Sequence, residues 1–285
     1  MTLTTRSAMP SGSEPAGRQA DADALSAVAF GDQGQEEGRA HGGVAPLITL
    51  RDPFLAFAAS VLDDIERVRI ANENRVRQMT RTEPDEDGIV RGFGMPDDHP
   101  DVEMMREMVT ALSTIEATAT KNLQRRMRKH PLHATTSRMR GVGDKQVARL
   151  LAAIGDPHWH NAEERPRTVS ELWAYCGFKP GQKRQRGVKS NWSQDAKMRA
   201  YLIAESCVKQ LDKTCPVDPD TKAATHADGC TCSPYRKVYD ARKLHTRTTQ
   251  PDWTDLHRHN DALRKAAKTL LRDLWRAARQ TYEES

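Results

Sequence analysis

Apolar residues recur every three to four positions over long stretches of this chain, and no segment shows the apolar–polar alternation of a half-buried strand. From Asp52, a candidate N-cap followed by Pro53, the positions Phe54, Phe57, Ala58, Val61, Leu62, Ile65 and Val68 predict an amphipathic helix to roughly residue 79. An acidic link with Gly and Pro, TEPDEDGIVRGFGMPDDHP, separates it from a second pattern between Val102 and about Lys129, with Met105, Met108, Val109, Leu112, Ile115, Ala119 and Leu123 on one face. Two long helices joined by a loop predict an antiparallel hairpin, an arm that pairs with another subunit, or two plain members of a bundle. After Pro131, end signals place further helices: Asp144 to Ile154 behind a Gly-Val-Gly turn, a Thr168/Glu171 capping box for a helix ending before Gly177, and a start at Ser193 or Asp195 for a helix through Leu211. Helices around Tyr235 to His245 and Asp255 to Ala278 follow a loop with Cys and His.

The fold expected is therefore mostly α. A disordered tail (1–50) precedes a long helical hairpin or arm (51–130), a compact helical domain containing a helix-hairpin-helix (131–212), and a Cys/His loop with C-terminal helices (213–285). Composition agrees with such a tail. Of the 285 residues only 37% are hydrophobic and 5% aromatic, too few to bury a core along the whole length. No apolar run approaches the roughly 18 residues of a membrane span, and the N-terminus lacks the apolar segment of a signal peptide. Five cysteines, an odd number in a long chain, suit a reducing compartment, so the expected location is the cytoplasm, with no membrane partner.

The net charge of +5 hides an uneven distribution. Residues 121–210 hold nineteen Lys and Arg against seven Asp and Glu, a balance of +12, whereas the tail is negative. Within the basic region, Met139 to Gly155 reads as a short helix, a Gly-hydrophobic-Gly turn and a second helix. Gly141, Val142 and Gly143 let the backbone turn toward a phosphate, the first amides of the next helix point at that anion, and Lys145 and Arg149 add charge. The bland alternative is a Gly-rich connection with no ligand. Further on, the loop from Lys179 to Trp192 carries Lys183, Arg184, Arg186 and Lys189, and Lys197 and Arg199 follow on a helix. Such a loop can track a nucleic-acid backbone. Trp192 either stacks on a base or packs at the start of the helix.

In order, Gly141-Val-Gly with Ala-Arg-Leu-Leu-Ala-Ala-Ile-Gly-Asp156, then Thr168-Val-Ser-Glu-Leu-Trp-Ala-Tyr-Cys-Gly-Phe-Lys-Pro180, a basic loop and Met198-Arg199 resemble the C-terminal domain of the Piv/MooV-type insertion-sequence transposases. The likeness covers about residues 135–210, and the helices before it are similar to that family's helical linker. It implies a DNA-binding, transposition-related protein of a mobile element. The family's catalytic parts are an N-terminal RuvC-like domain, whose carboxylates bind Mg²⁺, and a serine nucleophile. This chain departs at both. Upstream of the arm stands only the irregular tail, and the loop after Pro180 has no serine before Ser190. Ser190 or Ser193 would have to act as a displaced nucleophile, and Mg²⁺ would enter only with a catalytic partner chain.

Cys215, His226, Cys230 and Cys232 offer thiolates and an imidazole for a structural Zn²⁺ ion, although Cys230-Thr-Cys232 is spaced more tightly than the usual C-x₂-C; free cysteines in a polar loop are the alternative. His245, His257 and His259 lie beyond. In the last helix Leu263, Ala266, Ala267, Leu270, Leu271, Leu274, Trp275 and Ala278 form an apolar stripe with a basic rim able to extend a DNA footprint. Three functions follow: a DNA-binding, transposase-like protein, with structured RNA as a second ligand; an active recombinase using Ser190 or Ser193 or completed by another chain; and a non-catalytic interaction protein that forms a homodimer through its arm.

Overall fold

Most of the helices start on a residue whose side chain closes the first turn. The computed structural model describes residues 49–182 and 185–284. The Asp52 carboxylate accepts from the amides of Phe54 (3.0 Å) and Leu55 (3.1 Å) and so starts α1 (Pro53–Thr80). His99 Nδ1 accepts from the Asp101 amide at the start of α2 (Pro100–Met127). After α3 (His133–Thr136) and α4 (Asp144–Ile154) comes a two-residue antiparallel hairpin, β1 (Trp159–His160) with β2 (Arg165–Pro166), in which Trp159 faces Pro166. Both halves of the Thr168/Glu171 capping box form at α5 (Val169–Tyr175). Ser193, not Asp195, caps α6 (Gln194–Val208), which stops short of Leu211. α7 (Pro234–Thr249) and α8 (Asp255–Glu283) complete the chain, and α8 continues past the expected end at Ala278. The protein is mostly α, as expected.

The two long helices form an antiparallel hairpin. Arg126, near the end of α2, holds Asp52 at the start of α1 with bonds of 2.5 and 2.9 Å, and Arg69 binds Glu116 across the middle. Both helices also pack on α4, α4 packs on α6, and α5, α6 and α7 pack on α8. One buried cluster runs from Leu55 and Leu62 through Leu150 and Ile203 to Leu270 and Leu274, so the core crosses the expected boundaries at 130/131 and 212/213. The described residues all belong to one compact unit. Leu50 already belongs to this core, so the expected tail ends before it; the tail otherwise lies outside the described residues.

Ion pairs reinforce the seam between arm and α4. Asp63 and Glu66 share a face of α1 by their three-residue spacing, and Lys145 and Arg149 share a face of α4 by their four-residue spacing. Lys145 Nζ lies 2.5 Å from Glu66 and 3.8 Å from Glu116 of α2. Arg149 reaches Glu66 at 2.5 Å and Asp63 at 2.6 Å, and Arg199 of α6 reaches Asp63 at 2.6 Å. The Arg149 side chain is only 3% exposed, so its charge depends on these carboxylates. Burial pushes the Glu66 carboxyl up, but hydrogen bonds from Arg149 and Lys145 outweigh it and hold the group below its ordinary value.

The double variant Asp63→Asn/Glu66→Gln, which strands buried Arg149 without a counter-charge, is expected to lose roughly 3–5 kcal/mol in denaturant unfolding at pH 7. Because the folded Glu66 carboxyl lies below its unfolded value, its contribution is present above the ordinary carboxylate range and fades as pH falls through the lowered folded value. Wild type and variant therefore converge in acid; equal stability at pH 7 would refute the role of this network.

Candidate nucleic-acid interface and metal centre

Gly141 turns the chain between α3 and α4 at φ +91°, and a Cβ there would stand 2.7 Å from the Cα of Cys207 on α6. Its first duty is thus close packing against α6. Val142 bonds back to Met139 O and is half-buried, and Gly143 is exposed, in extended conformation before α4 with no side-chain cap. Asp144, the first residue of α4, pairs with Arg128 and lies 3.3 Å from His133. The hairpin's cations point elsewhere. Lys145, Arg149 and Arg199, expected on DNA, are engaged by Asp63, Glu66 and Glu116, a correction that follows from carboxylates about 30 to 140 residues away in sequence.

Of the basic loop, Lys183 and Arg184 lie outside the described residues, while Arg186 and Lys189 are exposed. The loop is tied to α8: Arg264 donates to the carbonyls of Phe178 (2.9 Å) and Lys179 (3.3 Å), and the Trp173 indole donates to Lys268 O at 3.0 Å. The Lys268 ammonium sits 4.0 Å over the Trp173 ring. Burial and the nearby Arg264 guanidinium push the Lys197 ammonium down; burial, Arg264 and Lys265 do the same to Lys268. These like charges gather on one surface, and none of Lys179, Arg186, Lys189, Lys197, Arg264, Lys265 or Lys268 forms an ion pair among the described residues. The spacing of Arg264, Lys265 and Lys268 on one turn of α8 is the sequence signal for this cluster.

Trp192 packs rather than stacks. It lies so close to Gly177 that a Cβ there would stand 2.5 Å from its ring, and Lys197 covers it at 5.3 Å. Both candidate serines take part in hydrogen bonds at the start of α6. Ser193 Oγ accepts from the Ala196 amide at 3.1 Å as the α6 cap. Ser190 Oγ accepts from Gln194 and lies 3.4 Å from Trp192 O, with no imidazole or carboxylate bonded to it among the described residues.

The Cys/His loop brings four ligand atoms together. The sulfurs of Cys215, Cys230 and Cys232 and a nitrogen of His226 all lie within 4.8 Å of one another, so the group can hold a metal ion. Cys215 and Cys232 sulfurs are 3.6 Å apart and Cys230 Sγ is 3.9 Å from His226 Nδ1. A tetrahedral ion about 2.3 Å from each sulfur gives sulfur–sulfur edges of about 3.8 Å. The tight Cys230–Cys232 spacing is tolerated because Cys215 and His226 close the site from other parts of the loop, where Gly229 turns at φ +72°. His226 Nε2 donates to the buried Asp240 carboxylate at 3.0 Å, which leaves Nδ1 free to ligate. Arg236 holds Asp240 in turn at 2.5 Å. The Cys232 amide and the Lys237 ammonium bring the Cys230 thiol down to about 6, whereas burial, then the neighbouring thiols, push Cys232 up. His259 instead meets the Tyr239 hydroxyl at 2.6 Å, and His257 meets Thr254 at 3.2 Å; His245 is likewise outside the cluster. Cys176 and Cys207 are core residues, as expected.

Protein purified without chelator is expected to contain about one metal ion per chain. Cys232→Ser should abolish it, chelation should lower the melting temperature, and acid should release the ion as the thiols protonate; metal near zero in the wild type removes the site. Comparison with protein-family models, curated proteins and solved structures finds no match for this chain.

Proposed function

We propose that this protein binds DNA through its phosphate backbone, using a basic face made by the loop after α5 and one side of α8. The observation that carries the reading is the mutual proximity of Lys197, Arg264, Lys265 and Lys268, the last seated over the Trp173 ring, cations with no carboxylate partner among the described residues. Such a face needs anions to offset its self-repulsion, and a polyphosphate chain supplies them in a row. Arg186 and Lys189 add further exposed cations in the loop. The resemblance to Piv/MooV-type transposases supports assigning this activity to a mobile element and to the cytosol. With Ser190 and Ser193 engaged in hydrogen bonds at the start of α6, the role proposed is binding rather than strand cleavage. Zn²⁺ is the ion that three thiolates and one imidazole in tetrahedral array select, and its function is structural. No helix among the described residues is long and apolar enough to cross a membrane.

An interaction role for the arm is favoured by a separate observation. Phe54, Phe57, Val61 and Val68 on α1 and Met104, Met108 and Ile115 on α2 are exposed, at three-, four- and seven-residue spacings that keep each set on one stripe. A second copy of the chain is the occupant suggested by the arm.

The triple variant Lys197→Ala/Lys265→Ala/Lys268→Ala is expected to weaken duplex binding at least tenfold. It should also flatten the dependence of log affinity on log salt by about 0.9 for each phosphate no longer neutralised. Ser190→Ala should leave binding unchanged. Wild-type protein without affinity at low salt, or a triple variant with unaltered salt slope, would overturn the proposal. For the arm, sedimentation should find a dimer that Phe57→Glu/Val61→Glu converts to monomer; a monomeric wild type refutes it.

A further inference from the structure

A second cationic site lies away from the α8 face. A cavity of about 510 Å³ opens between the start of α1, the end of α4, β1 and the segment leading into α5; Arg51, Trp159, His160, Asn161, Arg167 and Tyr175 line it. Its size falls in the range of roughly 300–1,000 Å³ typical of small-molecule sites. Arg167 is 8% exposed, yet its NH1 has no hydrogen-bond partner and its guanidinium forms no ion pair among the described residues. Its backbone is clamped on both sides: the amide donates to His158 O at 2.5 Å, and the carbonyl accepts from the Trp275 indole at 2.6 Å. The guanidinium lies over the Tyr175 ring at 5.4 Å, and the Tyr175 hydroxyl is fixed on Ala153 O at 2.9 Å.

The carboxylates lining the cavity are already engaged. Asp156 accepts from the amides of Leu50, His158 and Trp159 and from the Tyr282 hydroxyl. Asp52 is taken by two amides of α1 and by Arg126. Neither pairs with Arg167 or Arg51. A guanidinium buried without a counter-charge is costly unless an anion completes it, and its planar fork suits the oxygens of a phosphate. Beside it, the Trp159 ring offers a flat surface and the Asn161 amide offers a donor and an acceptor.

We infer that this cavity binds one nucleotide unit, with the phosphate on Arg167 and the base against the Trp159 ring. The inference extends the nucleic-acid reading to a separate site, and it holds for a free mononucleotide as for the phosphorylated end of a strand. Calorimetric titration of the full chain with 5′-dAMP, deoxyadenosine and inorganic phosphate tests it. The expected result is that 5′-dAMP binds more tightly than either fragment. Arg167→Gln should weaken it at least tenfold, and Arg51→Ala, at the exposed rim, severalfold with an unchanged melting temperature. Should Arg167→Gln fail to fold, Arg51→Ala decides. Competition by an oligonucleotide with a 5′-phosphate, but not with a 5′-hydroxyl, identifies the strand end as the source; competition by neither identifies the free mononucleotide. Absence of 5′-dAMP binding at millimolar concentration, equal binding of deoxyadenosine, or unaltered binding by a folded Arg167→Gln overturns the inference. Duplex binding through Lys197, Lys265 and Lys268 would stand unaffected by that failure, just as 5′-dAMP binding would survive the triple variant.

Discussion

Three cations at the centre of the molecule, Lys145, Arg149 and Arg199, require counter-charge, and the helical arm supplies it through Asp63, Glu66 and Glu116. This constraint orders much else. It holds α1 and α2 against α4, so the arm shares the core with the rest instead of projecting into solvent. It fixes the orientation of α4 and, through Gly141 against Cys207, of α6. It also removes from the surface the charges best placed to reinforce a hairpin's grip on phosphate. What remains for an anionic ligand is displaced to the loop after α5 and to α8, where no arm carboxylate is paired with the cations.

The Cys/His loop is held together differently. It contributes few apolar side chains, and its small buried cluster consists of Cys215, Ala224 and Cys232. Polar bonds do most of the local ordering: Asp212 accepts from the amides and hydroxyls of Thr214 and Thr231, and Asp240 joins His226 to Arg236. The four side chains can hold a metal ion, and an ion there would supply the cross-link that so little hydrophobic area cannot. The loop then returns the chain to α7, whose packing on α8 supports the basic face.

Much of the architecture was legible in the residues. Asp52 before Pro53, Thr168 with Glu171, and Ser193 before α6 announce helix starts because capping is a local exchange between a side chain and amides two or three positions on. The ligand set Cys215, His226, Cys230 and Cys232 was legible by type, but spacing argued against it, since sequence spacing does not reveal that Cys215 and His226 approach from separate parts of the loop. The ion pairing of Lys145, Arg149 and Arg199 was not legible: their partners on α1 and α2 become neighbours only after folding. Arg167 carries no signal in the sequence, because a lone arginine after a proline is ordinary and only its burial without a counter-charge sets it apart.

Helical periodicity, caps, the basic concentration between residues 121 and 210, and the kinds of side chain available for metal were thus properties of the chain's order alone. Which of those positive charges are neutralised and which are offered to a ligand was decided by tertiary packing. The physical reason is range: a helix or its cap depends on groups a few residues apart, whereas the fate of a charge depends on whichever opposite charge and how much water folding leaves within a few ångströms of it.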